Sequence, residues 1–503
     1  MKKYTLLLLP LFIASSLFAQ TDTLNTTVLS AVQLKEDFNL YRRMIQETHP
    51  GLYRYSSREI IQAKLDSIET LLNEPMPFFN FYKILTTFNA AIKCSHSTVL
   101  PTSNFFDYYS NQPKTFPFFL QPIEGKYIVI LNGSSNDLIK PGYELTHING
   151  QSMEKIAEII KLNFWTDGNI KLTKNIAVTG ALFPFFYYAL IDRPQYFILI
   201  FKDLKGDTIE ITEPAQIFGN TNKKFVKNPI NKPMLEMYDV HFKKPWRLTY
   251  PEGIKNVAML RFDSFGGKGM NTEEKAQKGM QKFMNMALAE MKKKETKHLI
   301  IDLRGNGGGW DIQGVELFTY LMKSDVAVKY YERQHAVTNG SEFLNFSDLS
   351  ANRLKTIKEE LIKEADGTFS LPEEKNQVLG LQKPKANRFR GDVYFLMDER
   401  SQSTTAEFLA VAKYNAIGIF VGEESGGAYQ GGNGGTFIQM TLPNSKIQIG
   451  SPLVYYQNAV GLGVPKGRGT IPDYQVSFKL EDLRTGYGRQ LEFVKGLIKS
   501  KGE

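Results

Sequence analysis

Ile301-Asp302-Leu303-Arg304-Gly305-Asn306-Gly307-Gly308-Gly309 and Ser401-Gln402-Ser403-Thr404-Thr405-Ala406-Glu407, the latter followed by Gly422-Glu423, are the stretches whose reading decides the fold. Each reads as a buried strand that runs into a polar turn of small residues and then starts a helix. Such a turn exposes a hydroxyl and unpaired backbone N–H groups in one place. Ser403, placed between strand and helix, is either an N-cap or a nucleophile. Gly307-Gly308-Gly309 is either a structural turn or a cradle for an oxyanion. A phosphate loop would need a closing Lys-Ser/Thr, and Trp310-Asp311 stand there instead. The glycine spacing is also wrong for a dinucleotide fingerprint.

Outward from these turns, the pattern from about residue 240 to 480 alternates. Strands are expected at 257–262, 298–303, 393–397 and 417–421, and helices at 273–294, 312–322 and 405–414. Alternation of this kind predicts an α/β domain. Residues 336–390 interrupt it with a polar run rich in Lys, Glu and Asn, read as a surface insertion able to serve as a lid.

Residues 30–95 carry a helical period through Leu40, Met44, Ile60, Leu65, Ile68, Leu71 and Leu72, broken by His49-Pro50-Gly51. From about 115 the period is that of strands. Tyr127–Leu131 is one strand, and Glu144–Ile148 is another that enters an Asn149-Gly150 turn and then a helix over 153–162. Residues 196–201 and 209–211 form a further hairpin. The segment 139–162 resembles the turn–strand–helix portion of a PDZ domain, which implies either a sheet edge open to an extended peptide or a packing module whose groove is closed. Ala181–Tyr188 is strongly apolar and reads either as core or as a pocket lining.

The chain has 503 residues, 42% hydrophobic and 22% charged, too many for one ordinary core. Lys2-Lys3, an apolar run to Ile13 and a small-residue stretch ending at Ala19 read as a secretory signal, so export to the periplasm or beyond is expected. No later stretch has the ~20 apolar residues of a membrane span. Cys94 is the only cysteine, which excludes an intrachain disulfide and reads as a small buried residue. The net charge of +9 is scattered, and Lys292-Lys293-Lys294 reads as a solvated helix face, so no nucleic-acid partner is expected. Six histidines without HxH or HxxxH spacing give no metal site, and no cofactor is expected.

Taken together, the motifs resemble those of the tail-specific, or C-terminal-processing, serine peptidases and their tricorn-like relatives, peptidase family S41. Asp302–Gly309 is similar to the family's Asp-Leu-Arg-x-Asn-x-Gly-Gly, and Ser401–Glu407 to its small-residue run ending in Glu. Gly422-Glu423, Ser425–Gly427 and Gly469–Asp473 match later parts. The resemblance implies an α+β multidomain protein. Its parts are a signal peptide (1–19), a helical domain (20–112), a PDZ-like β domain (113–215) and a crotonase-like α/β peptidase core (216–503, with the insertion at about 336–390). It implies a serine endopeptidase acting on peptide or protein substrates, on unfolded or C-terminal segments. Counting back from Gly422-Glu423 places the nucleophile at Ser403, and counting back from Glu407 places it at Thr404. With Ser403 as nucleophile, Thr404 and Gly308 give oxyanion donors. The lysine of one branch of the family is Ala428 here. The other branch uses a Ser-His pair, here Ser95-His96, with a glutamate before Gly-x-x-Pro-Asp. That position holds Lys466–Gly469 and no acid. A non-catalytic binding protein for a peptide or small apolar ligand is the competing expectation.

Overall fold

The computed structural model describes residue 24 and residues 26–102, 109–111, 114–239, 245–485 and 488–502. The N-terminal stretch expected as a signal, 1–19, lies outside the described residues.

Three helices open the chain: α1 (Ala31–Thr48), α2 (Arg58–Leu71) and α3 (Phe78–Ile92). Ser30 caps α1 in a reciprocal box with Gln33, and Ser57 caps α2. The helical period is correct in kind but slips by one position at two places. Ile60 and Leu71 are exposed, and Ile61 and Leu72 take the buried positions. After α3, Lys93 adopts a left-handed conformation (φ 62°) and turns the chain into Cys94–Ser97 and the short strand β1 (Thr98–Leu100).

Next comes an antiparallel sheet of β2 (Phe118–Ile123), β3 (Lys126–Asn132), β4 (Glu144–Ile148), β5 (Tyr196–Lys202) and β6 (Thr208–Pro214), joined in sequence order. The expected turn after β4 is present, with both Asn149 and Gly150 at positive φ. It leads into α4 (Met153–Leu162). The apolar run at 181–188 lies in and beside α5 (Leu182–Leu190), where Phe183 and Tyr188 are fully buried, so it is core. That core is continuous with the one beneath α1–α3.

Most of the remaining strands build two further sheets, beside small two-stranded ones. The first contains β7 (Trp246–Thr249), β8 (Val257–Phe262), β9 (His298–Asp302), β11 (Asp392–Met397), β12 (Ile419–Gly422) and β15 (Tyr474–Gln475), in that spatial order. All pairings but the first are parallel. Helices α6 (Glu273–Lys293), α7 (Asp311–Thr319) and α9 (Thr404–Tyr414) pack on one face, and α10 (Arg489–Ser500) on the other. The second sheet joins β10 (Tyr331–His335), β13 (Gly431–Thr441) and β14 (Gln448–Asn458), with β1 pairing along β14. Helix α8 (Ala351–Glu360) belongs to the insertion. The architecture is a multidomain α+β one. Among the described residues, no helix is long and apolar enough to cross a membrane.

Candidate active site

The two quoted segments lie side by side because β9 and β11 are parallel neighbours, Asp302 pairing with Leu396. Both turns therefore leave the sheet at its C-terminal edge, where open α/β sheets form their sites. They brace each other. Ser401 Oγ donates to Leu303 O (3.0 Å), Gln402 N–H to Asn306 O (3.1 Å) and Gly305 N–H to the Asp398 carboxylate (2.9 Å). Below them, Asp302 is buried between Arg261 and Arg304 at 2.8 and 2.7 Å. Burial alone would raise its pKa, but the two guanidinium groups hold it well below the usual carboxylate range.

Ser403 sits at the head of α9 with φ 52° and ψ −133°, a conformation that non-glycine residues seldom adopt. Its side chain caps nothing, which removes the N-cap alternative. Thr404 differs. Its hydroxyl donates to Gly309 O at 2.9 Å and the residue is buried. Its N–H, in the first turn of the helix, has no hydrogen-bond partner among the described residues.

Gly308 presses on this turn. A Cβ added to it would lie 2.7 Å from Ser403 Cβ and 3.0 Å from Thr404 N, and its φ is 99°. Only glycine fits there. The Gly308 N–H is engaged, donating to Asn306 Oδ1 at 2.9 Å. The N–H of the next residue, Gly309, has no hydrogen-bond partner among the described residues.

His96 reaches the same place from the far end of the chain. β1, which follows it, pairs antiparallel with β14 through Thr98–Gly450 and Val99–Ile449. Further ties hold the N-terminal helices to this sheet. The buried Asp37 carboxylate accepts from Asn444 N–H and Ser445 N–H at 3.0 and 2.7 Å, and Arg54 donates to Asn433 Oδ1 at 2.7 Å. Ser95 Oγ lies 3.2 Å from His96 Nδ1, and the ring stacks on Phe437. That contact leaves Nε2 without a hydrogen-bond partner among the described residues. Burial lowers the imidazole pKa, and the charge of Asp167 acts against that.

Ser403, Thr404 and His96 line one cavity of about 620 Å³. No hydrogen bond joins Ser403 to His96. The insertion supplies an apolar wall through Leu344, Leu354, Ile357, Phe369 and Leu371. Its polar composition hid this, because the apolar residues are dispersed among Lys and Glu. Asp311 and Glu407 also line the cavity. Burial pushes Asp311 up to about 6 and Glu407 to about 8, the latter against a hydrogen bond from Tyr331 Oη at 2.5 Å.

Other expectations resolve simply. Ala428, at the lysine position, is buried. Asp473 ties down its own turn, accepting from Phe420 N–H (2.8 Å) and pairing with Lys413. Cys94 is buried, and its sulfur accepts from Asn433 Nδ2. Lys292–Lys294 are exposed. Asp167 and Phe437 were not singled out from sequence. Neither lies in a motif, and only the tertiary fold brings them to His96.

Residues 256–476 match the sequence model of peptidase family S41, which assigns this part of the chain to that family. No curated protein matches significantly. Among solved structures, the chain is similar to mature CPAF complexed with lactacystin (14% identity, TM-score 0.59), over 93% of this chain and 98% of that one. A serine-to-alanine mutant of CPAF aligns over the same shares at 13% identity and TM-score 0.60. At these identities the likeness is one of fold.

Proposed function

We propose that the chain is an exported serine endopeptidase that cleaves unfolded or C-terminal peptide segments through an acyl-enzyme. The observation that carries this reading is Ser403. It has a strained backbone, an uncommitted hydroxyl and a place in the same cavity as His96. Thr404 is the poorer nucleophile because its hydroxyl is already bonded to Gly309 O.

In this mechanism His96 Nε2 takes the Ser403 proton as Oγ attacks the peptide carbonyl. The lowered imidazole pKa keeps the base neutral and ready at neutral pH. Ser95 holds Nδ1. Thr404 N–H and the Gly308–Gly309 loop face the developing oxyanion. Gly309 N–H is free for this, whereas Gly308 N–H must first leave Asn306 Oδ1. His96 then protonates the leaving amine, and water resolves the acyl-enzyme. Ala428 stands where one branch of the family carries its lysine, so that lysine is not the base in this reading. No metal or cofactor enters the scheme.

We read the β2–β6 sheet as a PDZ-like module that presents an extended peptide, and the region around β8–β12 as a crotonase-like peptidase core. The division at 20–112, 113–215 and 216–503 belongs to the same reading, as does export by residues 1–19. The apolar wall from the insertion suits the side chains that an unfolded segment exposes.

Labelling with a fluorophosphonate probe tests the proposal. Wild-type protein is expected to label and Ser403→Ala to lose labelling, with peptide hydrolysis falling at least ~10³-fold. Labelling that survives in Ser403→Ala but vanishes in Thr404→Ala overturns the assignment. A folded wild-type protein that never labels leaves the peptide-binding reading in its place.

A further inference from the structure

We propose that Asp167 is the carboxylate that positions His96 and stabilises its protonated form, filling the role for which the C-terminal motif offers no acid. This rests on His96 being the base, as proposed above.

Asp167 lies five residues beyond α4 and far in sequence from both site motifs. It is 4% exposed. Its Oδ1 accepts the Ser95 N–H at 2.8 Å, directly behind the histidine. The adjoining backbone is stitched to the same turn. Gly168 N–H donates to Lys93 O at 3.0 Å, Lys93 Nζ to Asn169 Oδ1 at 2.7 Å, and Asn169 N–H to Gly467 O at 2.7 Å. The Ser95-His96 turn is thereby held from below by the segment that carries Asp167.

The other carboxylate oxygen points towards the nucleophile's side. A methyl group placed on Gly427 would lie 3.7 Å from Asp167 Oδ2 and 3.6 Å from Ser403 N, so the carboxylate and the Ser403 backbone both border Gly427. Asp167 thus borders both the Ser95-His96 turn and the glycine that flanks Ser403.

The surroundings make its charge count. The groups that face His96 are the Ser95 hydroxyl, the Phe437 ring and Asp167. Around Asp167 stand Tyr55, Cys94 and Glu407. Burial raises the pKa of all three, so each is mostly uncharged at neutral pH; Arg54 lies beyond Tyr55. When His96 accepts the Ser403 proton, a cation forms in a site poor in water. A fixed anion beneath it lowers the cost of that cation. Removing the anion should therefore lower the imidazole pKa further and weaken the base.

Asp167→Asn separates this role from a structural one, because the amide oxygen can still accept from Ser95 N–H. In a Ser403→Ala background, the His96 ring proton is followed by NMR across pH. Asp167→Asn is expected to lower the imidazole pKa by about half a unit or more. In the active protein it should cut kcat by about 10- to 100-fold, within the range a general base contributes, with KM little changed. The acid limb of the kcat/KM profile should move to lower pH. Asp167→Glu, which keeps the charge, should lie nearer wild type than Asn on both readouts, and Asp167→Ser replaces Asn if that variant does not fold. A His96 titration unmoved by loss of the carboxylate overturns the proposal, as does a loss confined to KM. The titration needs no turnover, so it decides the coupling even if the wild type hydrolyses no peptide, an outcome that would sink the function reading alone.

Discussion

Ser403 and His96 face one cavity but are held in different ways. The Ser403 turn is braced by neighbours on adjacent parallel strands, through Leu303, Asn306 and Gly308 on one side and Gly426 on the other. Its supports are short, buried and mostly backbone. His96 depends on contacts between distant parts of the chain: β1 on β14, Arg54 on Asn433, and Asp37 on a loop 407 residues away. The proposed nucleophile is therefore preorganised by one sheet, while the proposed base is delivered by the docking of the N-terminal half. Short local braces resist displacement, and a docked edge can shift as a unit.

The severest way to break the nucleophile's side is Gly308→Ala. The new methyl meets Ser403 Cβ at 2.7 Å and Gln402 O at 2.9 Å, and φ is 99°. Backbone lies on both sides, so the turn must move. Peptide hydrolysis and fluorophosphonate labelling are each expected to fall about 100-fold or more, since small misplacements of reacting groups cost that much. Full activity in Gly308→Ala would show that the turn is far softer than its contacts imply.

The same contrast explains what could be read from sequence. Local braces leave local motifs. Asp302–Gly309 and Ser401–Glu407 announced strand, turn and helix start, and the alternation around them gave the α/β sheet with boundaries within about three residues. The antiparallel segment at 144–162 was legible because Asn149-Gly150 demands positive φ. The docked side left little trace. Ser95-His96 was visible only as a dipeptide, and nothing in Thr166-Asp167-Gly168 says that it lies beneath them. The apolar wall of the insertion escaped because its members are widely spaced and its helix α8 has no buried residue. That these residues face one cavity is a property of tertiary structure alone.

A subtler change tests the docked side. Gly450 lies opposite Thr98 in the β1–β14 pairing. A methyl at 450 would meet Thr98 Oγ1 at 2.3 Å but Thr98 Cβ only at 3.6 Å. Gly450→Ala should push β1, and His96 with it, away from Ser403 while leaving the nucleophile's turn untouched. Activity is expected to fall roughly tenfold, a smaller misplacement than at Gly308. Adding Thr98→Ala removes the clashing oxygen and should restore most of the loss. Failure of that rescue would mean that the strand pairing does not set the position of the base.

The smallest effect concerns stability and isolates the nucleophile's side from the base altogether. At φ 52° and ψ −133°, Ser403 carries backbone strain that any residue with a Cβ shares. Such strain costs on the order of 1–3 kcal/mol. Glycine accepts the conformation but loses about 0.5–1 kcal/mol through its freer unfolded chain. Ser403→Gly and Ser403→Ala both remove the hydroxyl, so both should be inactive. They differ only in whether the strain remains. Ser403→Gly is therefore expected to exceed Ser403→Ala in stability by about 1 kcal/mol, read from denaturant midpoints at equal slope. Equal midpoints would mean that the turn relaxes once the hydroxyl is gone. The strain would then belong to the serine itself and not to the grip of Gly308 and Asn306 upon it.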